Sequence, residues 1–238
     1  EFCKRMQPDY KVGRHHRILA DQLMALEDGS KDRVCVNIPP RHGKSQLVSI
    51  FYPAWFLGRN PSKKVMMVSH TTDLAVDFGR KVRNLIATDG YREIFPDVSL
   101  AVDSKSAGRW NTNFGGEYFA CGIGSALAGR GADLLLVDDP HSEQDVINGN
   151  FSVFDKAYEW FTFGARTRLM PGGRVAIVQT RWHMDDLTGR VTNDMVKNEL
   201  SDQYEIVEFP ALLDSDDGTQ KPLCPEFFDL ADLERKKA

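Results

Sequence analysis

The sequence has no long apolar run and no cluster of cysteines. No apolar stretch approaches the ~18 residues that a membrane-spanning helix needs, and no secretory signal is recognisable. The four cysteines, Cys3, Cys35, Cys121 and Cys224, lie far apart and form no CxxC pair. This spacing matches neither a zinc site nor a disulfide framework, and it suggests a protein of a reducing cytosol.

The sequence also lacks an excess of positive charge. Its formal charge of -4 argues against a globally basic nucleic-acid-binding protein. Basic residues do cluster locally, over residues 4–17 and again over 80–83, although such clusters are more often solvated helix faces. With 238 residues, of which 42% are hydrophobic and 27% charged, the chain can form one large domain, or one domain with a small appendage, around a substantial core.

Short apolar runs alternate with longer amphipathic segments along the chain. This alternation is typical of α/β proteins with a mainly parallel sheet. The predicted strands are residues 33–38, 64–69, 118–122, 133–137, 174–179 and 204–209. The predicted helices are residues 14–26, 44–57, 73–87, 154–167, 185–197 and 229–237. We therefore expect a three-layer α/β fold in which helices flank a central sheet.

One segment has the context and composition of a phosphate-binding loop. Ile38-Pro-Pro-Arg-His-Gly-Lys-Ser45 joins a predicted strand to a predicted helix, as a P-loop does. Gly43 would let the backbone approach phosphates, Lys44 would neutralise the β- and γ-phosphates, and the Ser45 hydroxyl would bind Mg²⁺. The usual first glycine of the motif is missing, because Ile38 occupies that position. The predicted nucleotide-binding residues are Pro40, Arg41, His42, Gly43, Lys44, Ser45 and Gln46.

A second segment pairs with this loop about ninety residues later. Ala132-Asp-Leu-Leu-Leu-Val-Asp-Asp139 predicts a buried strand that ends in two carboxylates, at the edge where open α/β sheets bind ligands. Asp138 would hold Mg²⁺ through water, and Asp139 would orient or deprotonate the attacking water. Taken alone, such a strand end is often a helix N-cap or a surface turn. Together the two segments predict a P-loop NTPase of the ASCE or RecA-like kind that uses ATP and Mg²⁺.

The motifs also resemble a known family. The string from Val36 to Ser45 is similar to the ATPase motif of the large terminase subunits of tailed bacteriophages, the motors that package DNA into procapsids. The resemblance extends from about Tyr10 to Phe228. Further matching segments are Arg14-His-His-Arg17, Val68-Ser-His-Thr71, Ala128-Gly-Arg-Gly131, Asp138-Asp-Pro140, Gln179-Thr-Arg-Trp-His183 and Asp185-Asp-Leu187.

The resemblance implies roles for several further residues. Arg41 resembles the P-loop arginine that contacts phosphate. The family usually has Glu as its catalytic carboxylate, whereas this chain has the shorter Asp139; the alternative acid is Glu143, which lies beyond the end of the strand. Thr180 resembles the coupling motif that senses the γ-phosphate, although a threonine there could simply cap the next helix.

Two more assignments concern the surroundings of the site. Arg130 lies in a glycine-rich loop and could enter a neighbouring subunit's site as an arginine finger, or it could be an ordinary loop arginine. His16 could flank the adenine, although such a residue is more often part of a surface or core. For His183, Asp185 and Asp186 we favour a helix N-terminus over a metal site.

The resemblance implies the ATPase module of a DNA-packaging motor. Its expected partners are double-stranded DNA, the portal protein, the small terminase subunit and further copies of itself in a ring on the portal, with no membrane. It would act in the host cytoplasm, transiently at the procapsid portal, and be missing from the mature virion.

We expect residues 1–213 to form the ATPase domain and 214–238 a small subdomain or linker toward the family's nuclease domain, so nuclease activity is expected only in the full-length protein. The alternatives are a P-loop kinase, a helicase-like NTPase, or a nucleotide-switched docking module without turnover.

Overall fold

The computed structural model describes residues 1–104 and 106–237. Its strands, in chain order, are β1 Arg33–Asn37, β2 Lys64–Ser69, β3 Arg109–Asn111, β4 Glu117–Gly122, β5 Ala132–Asp138, β6 Leu169–Gln179, β7 Glu205–Glu208, β8 Leu212–Asp214 and β9 Gln220–Pro222. Its α-helices are α1 Phe2–Met6, α2 Arg14–Asp28, α3 Tyr52–Arg59, α4 Thr72–Ile86, α5 Asp89–Ile94, α6 Glu143–Ile147, α7 Ser152–Glu159, α8 Leu187–Lys197 and α9 Leu230–Lys237.

Within the described part of the chain, seven strands form the central sheet, in the order β3-β4-β2-β5-β6-β1-β7. Every neighbouring pair is parallel except β3 with β4. The expected mainly parallel sheet is therefore confirmed, and all six predicted strands are present. The strand β6 lies between β1 and β5, so that the chain segments after these three strands meet at one edge of the sheet.

The sheet separates two apolar cores, because successive residues of a strand point to opposite faces. On β5, Leu134 and Leu136 pack in one core with helices α2, α3 and α4. Leu135 and Val137 pack in the other core, which contains α8 and the segment after α7. Helices on both faces of one sheet form the expected three-layer architecture.

Two helices that the sequence predicts as continuous change type along their length. The segment predicted as a helix over 44–57 is π-helical over Gln46–Phe51 and becomes α-helical at α3. Pro53 has no N–H to donate to the preceding turn, which explains an irregular turn just before it. The helix predicted over 154–167 similarly becomes π-helical over Trp160–Ala165 and 3₁₀-helical over Arg166–Arg168.

The end of the chain packs against the domain. Strands β8 and β9 form a separate antiparallel hairpin, and Leu223 after it belongs to the same core as α2 and β1. The division into 1–213 and 214–238 stays a prediction. None of the helices in the described part of the chain is long and apolar enough to cross a membrane.

Candidate active site

The carboxyl ends of β1, β6 and β5 bring three polar segments together. The P-loop follows β1, Thr180 follows β6, and β5 ends at Asp138, with Asp139 directly after it. Because β6 lies between the other two strands, Thr180 lies between the P-loop and the acidic pair. The sheet order alone therefore places the two predicted halves of the site on either side of Thr180.

The P-loop turns through two residues with left-handed backbone. Arg41 has φ 64° and Gly43 has φ 79°. A Cβ atom at Gly43 would lie 2.4 Å from His16 Nε2, so only glycine fits in this position. The sequence predicts that Gly43 lets the backbone approach phosphates. In this structure the close neighbour of Gly43 is the ring of His16, and phosphate contact stays a prediction.

Buried histidines of α2 contact the P-loop. His15 Nε2 donates a hydrogen bond to the His42 carbonyl at 2.9 Å, and Gly13 N donates to His16 Nδ1 at 3.0 Å. His42 Nδ1 lies 2.9 Å from the Pro40 carbonyl and must donate to it. Burial lowers the pKa of all three histidines, and His15 beside it helps to lower the pKa of His16 to about 4. The histidines are therefore neutral at pH 7.

Lys44 and Asp139 form the polar centre of the site. Lys44 Nζ lies 2.7 Å from Asp139 Oδ2, and the lysine is 7% exposed. The other carboxylate oxygen, Oδ1, accepts a hydrogen bond from the backbone N–H of Thr180 at 2.8 Å. The Thr180 hydroxyl donates to the Ile38 carbonyl at 3.3 Å. One carboxylate thus connects the strand-end segments of β1, β5 and β6.

The backbone of Asp139 is strained. Its φ of 44° is left-handed, a conformation that costs a residue with a side chain roughly 1–2 kcal/mol. Pro140 follows and disfavours the right-handed helical alternative. The N–H of Asp139 donates to the Val178 carbonyl at 3.0 Å, and its own carbonyl accepts from the His70 N–H at 3.1 Å. Strain of this kind is common at functional sites, where the surroundings fix the conformation.

Asp138 has a different environment from its neighbour. It is 1% exposed, and its Oδ2 accepts a hydrogen bond from the Ser49 hydroxyl at 2.6 Å. Burial and the adjacent Asp139 raise its pKa, while Lys44, Ser49 and Ser45 oppose that rise. Its Oδ1 has no hydrogen-bond partner within the described residues. A buried carboxylate oxygen without a partner, with a serine hydroxyl nearby, is a donor set that suits a hard cation such as Mg²⁺.

Two residues of the site were missed in the sequence. Ser49 lies four residues after Ser45, a spacing that places both on one helical face, and this could have indicated it. His70 follows β2, the neighbour of β5, and contacts Asp139 through both its backbone and its ring. Its position depends on the strand order, which no local pattern reveals.

Other predicted residues lie around this centre. Gln46 Nε2 donates to Gln7 Oε1 at 2.6 Å, which ties the P-loop to the start of the chain. Arg41 is exposed and makes no ion pair or side-chain hydrogen bond with the part of the chain that the structure describes. Its role stays a prediction. The alternative acid Glu143 is exposed in the first turn of α6.

Arg130 lies away from this site in its own chain. It precedes β5, at the amino end of the strand, whereas the site is at the carboxyl end. Its guanidinium lies 3.4 Å from Glu117 and over the ring of Phe119, 4.5 Å from the centroid. Arg130 is therefore remote from the site of its own chain, and a role in a neighbouring subunit's site stays a prediction.

Asp185 and Asp186 lie at the start of helix α8, as expected. Asp186 is the N-cap of α8, and its Oδ1 accepts from the Gly189 N–H at 3.0 Å. Its Oδ2 lies 2.8 Å from Arg181 Nε. The predicted helix N-terminus is confirmed at Asp186.

The fold and the site define a P-loop NTPase domain of the ASCE kind, in which a strand intervenes between the P-loop strand and the strand with the acidic pair. The family model described as "Terminase large subunit, T4likevirus-type, N-terminal" matches residues 35–237. The chain belongs to this family.

Solved structures agree on the fold. The chain is similar to the large terminase of bacteriophage HK97, with 15% identity and a TM-score of 0.52 over 87% of this chain and 41% of that one. It is also similar to an arginine-to-alanine variant of the large terminase ATPase domain of Thermus phage P74-26, with 18% identity and a TM-score of 0.52 over 87% of this chain and 84% of that one. The chain thus spans about two fifths of the HK97 protein. No curated protein sequence matches it.

Proposed function

We propose that this chain hydrolyses ATP with Mg²⁺ and that the hydrolysis drives double-stranded DNA into a procapsid. The observation that carries the proposal is the contact of 2.7 Å between Lys44 Nζ and Asp139 Oδ2. It brings a P-loop lysine and a strand-end carboxylate together on the edge of a parallel sheet where nucleotides bind. Membership of the terminase large-subunit family supports the same activity.

Each central residue has a role that its position supports. Lys44 would bind the β- and γ-phosphates and offset the negative charge that develops during transfer. Phosphate and Asp139 compete for the same ammonium group, so phosphate binding would free the carboxylate to orient and deprotonate the attacking water. Thr180, whose N–H already contacts that carboxylate, would report the state of the γ-phosphate to the chain beyond β6.

Ser45 and Asp138 would hold the metal ion. Mg²⁺ keeps most of its ligands as water and phosphate oxygens, which fits a site where the described residues offer no cluster of three acidic, histidine or cysteine side chains. Bound Mg²⁺ would neutralise charge on the phosphates. Ser49 would keep the Asp138 carboxylate oriented, because their hydrogen bond fixes one carboxylate oxygen.

The adenine would bind beside the P-loop. A cavity of about 490 Å³ lies between the start of the chain and α2, lined by Tyr10, His16, Arg17 and Leu47 among others. His16 borders both this cavity and Gly43, so a base placed there would lie next to the phosphate-binding loop. This supports the sequence-based assignment of His16.

The other partners follow from the family. We propose that the chain acts with the portal protein and the small terminase subunit, as a homo-oligomeric ring on the portal in the host cytoplasm. In such a ring Arg130 would reach a neighbouring subunit's site. To do so, its side chain, which is 25% exposed, would have to leave its contacts with Glu117 and Phe119.

The test is ADP release in the absence of any phosphate acceptor, with and without double-stranded DNA. We expect slow release from the parent chain and faster release with DNA. Lys44→Ala should abolish it, and Lys63→Ala, which removes a surface lysine paired with Asp133, should not. Transfer that requires an added acceptor would identify a kinase instead. Binding of ATP without turnover under every condition would identify a docking module.

A further inference from the structure

His70 makes two contacts with the same carbonyl oxygen. Its backbone N–H and its ring Nδ1 each lie 3.1 Å from Asp139 O. A carbonyl oxygen can only accept, so Nδ1 must carry a proton and donate it to this bond. Two donors from one residue thus hold the peptide group that follows the Asp139 Cα.

This peptide group decides where the Asp139 carboxylate points. Asp139 has a φ of 44°, and the proline after it leaves an extended backbone as the main competing conformation. A change to an extended backbone would rotate the side chain away from Lys44 and from the Thr180 N–H. The two carboxylate contacts, at 2.7 and 2.8 Å, therefore depend on the left-handed turn that His70 holds from the other side.

The sheet order explains why His70 can do this. Strand β2 is the neighbour of β5 on the side opposite β6. Val178 of β6 therefore fixes the Asp139 N–H from one side, and His70 fixes the carbonyl from the other. The half-buried ring of His70 is hydrogen-bonded within the described residues only to Asp139.

We propose that His70 is a positioning residue for ATP hydrolysis, which holds Asp139 in the conformation that presents its carboxylate to the site. This inference rests on the proposed ATPase function. Within the described residues, no hydrogen bond or ion pair joins His70 to Lys44 or to the P-loop, so it should influence turnover without changing how tightly ATP binds.

The test compares two replacements of the ring. His70→Leu removes the side-chain donor but leaves the backbone N–H, whereas His70→Asn places an amide N–H at a similar distance from the backbone. We expect His70→Leu to lower kcat about tenfold with KM for ATP within about twofold of the parent chain. His70→Asn should recover kcat to within about threefold.

A matched control separates positioning from loosening of the local fold. Thr71→Ala removes the side-chain cap of α4, which accepts from Leu74 N, in the same turn but without touching Asp139. It should lower the unfolding midpoint and leave kcat near the parent value. His70→Ala repeats the measurement should the leucine variant not fold.

The outcomes are distinct. If the parent chain releases no ADP, the proposed function fails, and the role of His70 with it. If the parent chain is active and His70→Leu matches it, only the role of His70 is wrong. Equal losses in His70→Leu, His70→Asn and Thr71→Ala would likewise contradict it, since they would show a purely structural effect.

Discussion

Two adjacent carboxylates, Asp138 and Asp139, have different surroundings. Asp138 is buried, bonded to Ser49, and has a raised pKa. Asp139 is partly exposed, paired with Lys44, and held in a left-handed turn. Pairs of acids whose environments diverge in this way commonly divide roles between them. Here the buried acid suits a metal ion, and the exposed one suits the attacking water.

Ser49 provides a test of the buried acid. Ser49→Ala removes the hydroxyl that donates to Asp138 and should lower the free energy of unfolding by about 1.5–3 kcal/mol, the range for hydrogen bonds to charged groups. The matched control is Ser69→Ala. Ser69 is equally buried, but its hydroxyl has no partner within the described residues, so its removal should change stability little. Urea unfolding measures both, and equal losses would contradict the assignment.

Gly43 provides a test of the loop. Gly43→Ala combines a left-handed backbone with a collision against His16 Nε2, so it should abolish binding of a fluorescent ATP analogue. Gly124→Ala shares the backbone conformation, with φ 86°, but its new methyl group would meet nothing within 4 Å. It should cost about 1 kcal/mol of stability and leave binding intact. Retained binding in Gly43→Ala would show that the loop is not the phosphate site.

At the scale of elements, the strands were predictable and the irregular helices were not. Apolar runs such as the one in β5 identify buried strands directly. The three-residue strands β3, β8 and β9 are too short to show a period, and β6 extends through a Pro-Gly-Gly segment that reads as a turn. The π-helical turn before Pro53 depends on a missing hydrogen bond, which periodicity does not detect.

The same contrast applies to the site. Lys44, Ser45, Asp138 and Asp139 follow from two local patterns, because each pattern lies at the end of a strand. The position of Arg130 at the opposite edge of the sheet, and the contact of His70 with Asp139, depend on strand order. Strand order is set by packing of the whole sheet, and a local pattern carries no information about it.

The contribution of Asp186 to the start of α8 can be tested. Asp186 is fully buried, caps the helix and pairs with Arg181. Asp186→Ala removes both interactions and should lower the free energy of unfolding by about 2–3 kcal/mol. The ion pair contributes less than a fully buried one would, because the Arg181 side chain is 35% exposed to solvent. Asp185→Ala changes the neighbouring acid, whose side chain is half exposed, and should cost less than about 0.5 kcal/mol. Chemical unfolding of both variants makes the comparison, and similar midpoints would contradict this account of the helix start.

The whole molecule contains several histidines that must stay neutral to be buried. Burial lowers the pKa of His15, His16, His42 and His141, to about 4 for His16 and His141. As the pH falls below 6.5, the unfolded chain binds more protons at these sites than the folded chain does, so the free energy of unfolding should fall. Asp138 has the opposite effect on stability. Its pKa is raised in the folded state, so the folded chain binds a proton at a higher pH than the unfolded chain does and gains stability as the pH falls.

Four histidines have a lowered pKa and one acid has a raised pKa. We therefore expect the histidines to dominate and the free energy of unfolding to fall as the pH falls. The free energy of unfolding should drop by on the order of 1–3 kcal/mol from pH 7 to pH 5. His16→Asn keeps an acceptor for the Gly13 N–H and should reduce that drop. Urea unfolding at the two pH values measures it. A protein equally stable at both, or more stable at pH 5, would show that these histidines are protonated in the fold.

We propose Asp139 as the catalytic carboxylate of an ATPase. The most direct measurement is single-turnover ADP formation by Asp139→Asn, with binding of an ATP analogue measured on the same sample. Asn tolerates left-handed backbone, so the turn should survive. We expect turnover to fall at least ~100-fold while the binding constant stays within about threefold, and Glu143→Gln to behave as the parent chain. Retained turnover in Asp139→Asn, or its loss in Glu143→Gln, would contradict a catalytic role for Asp139.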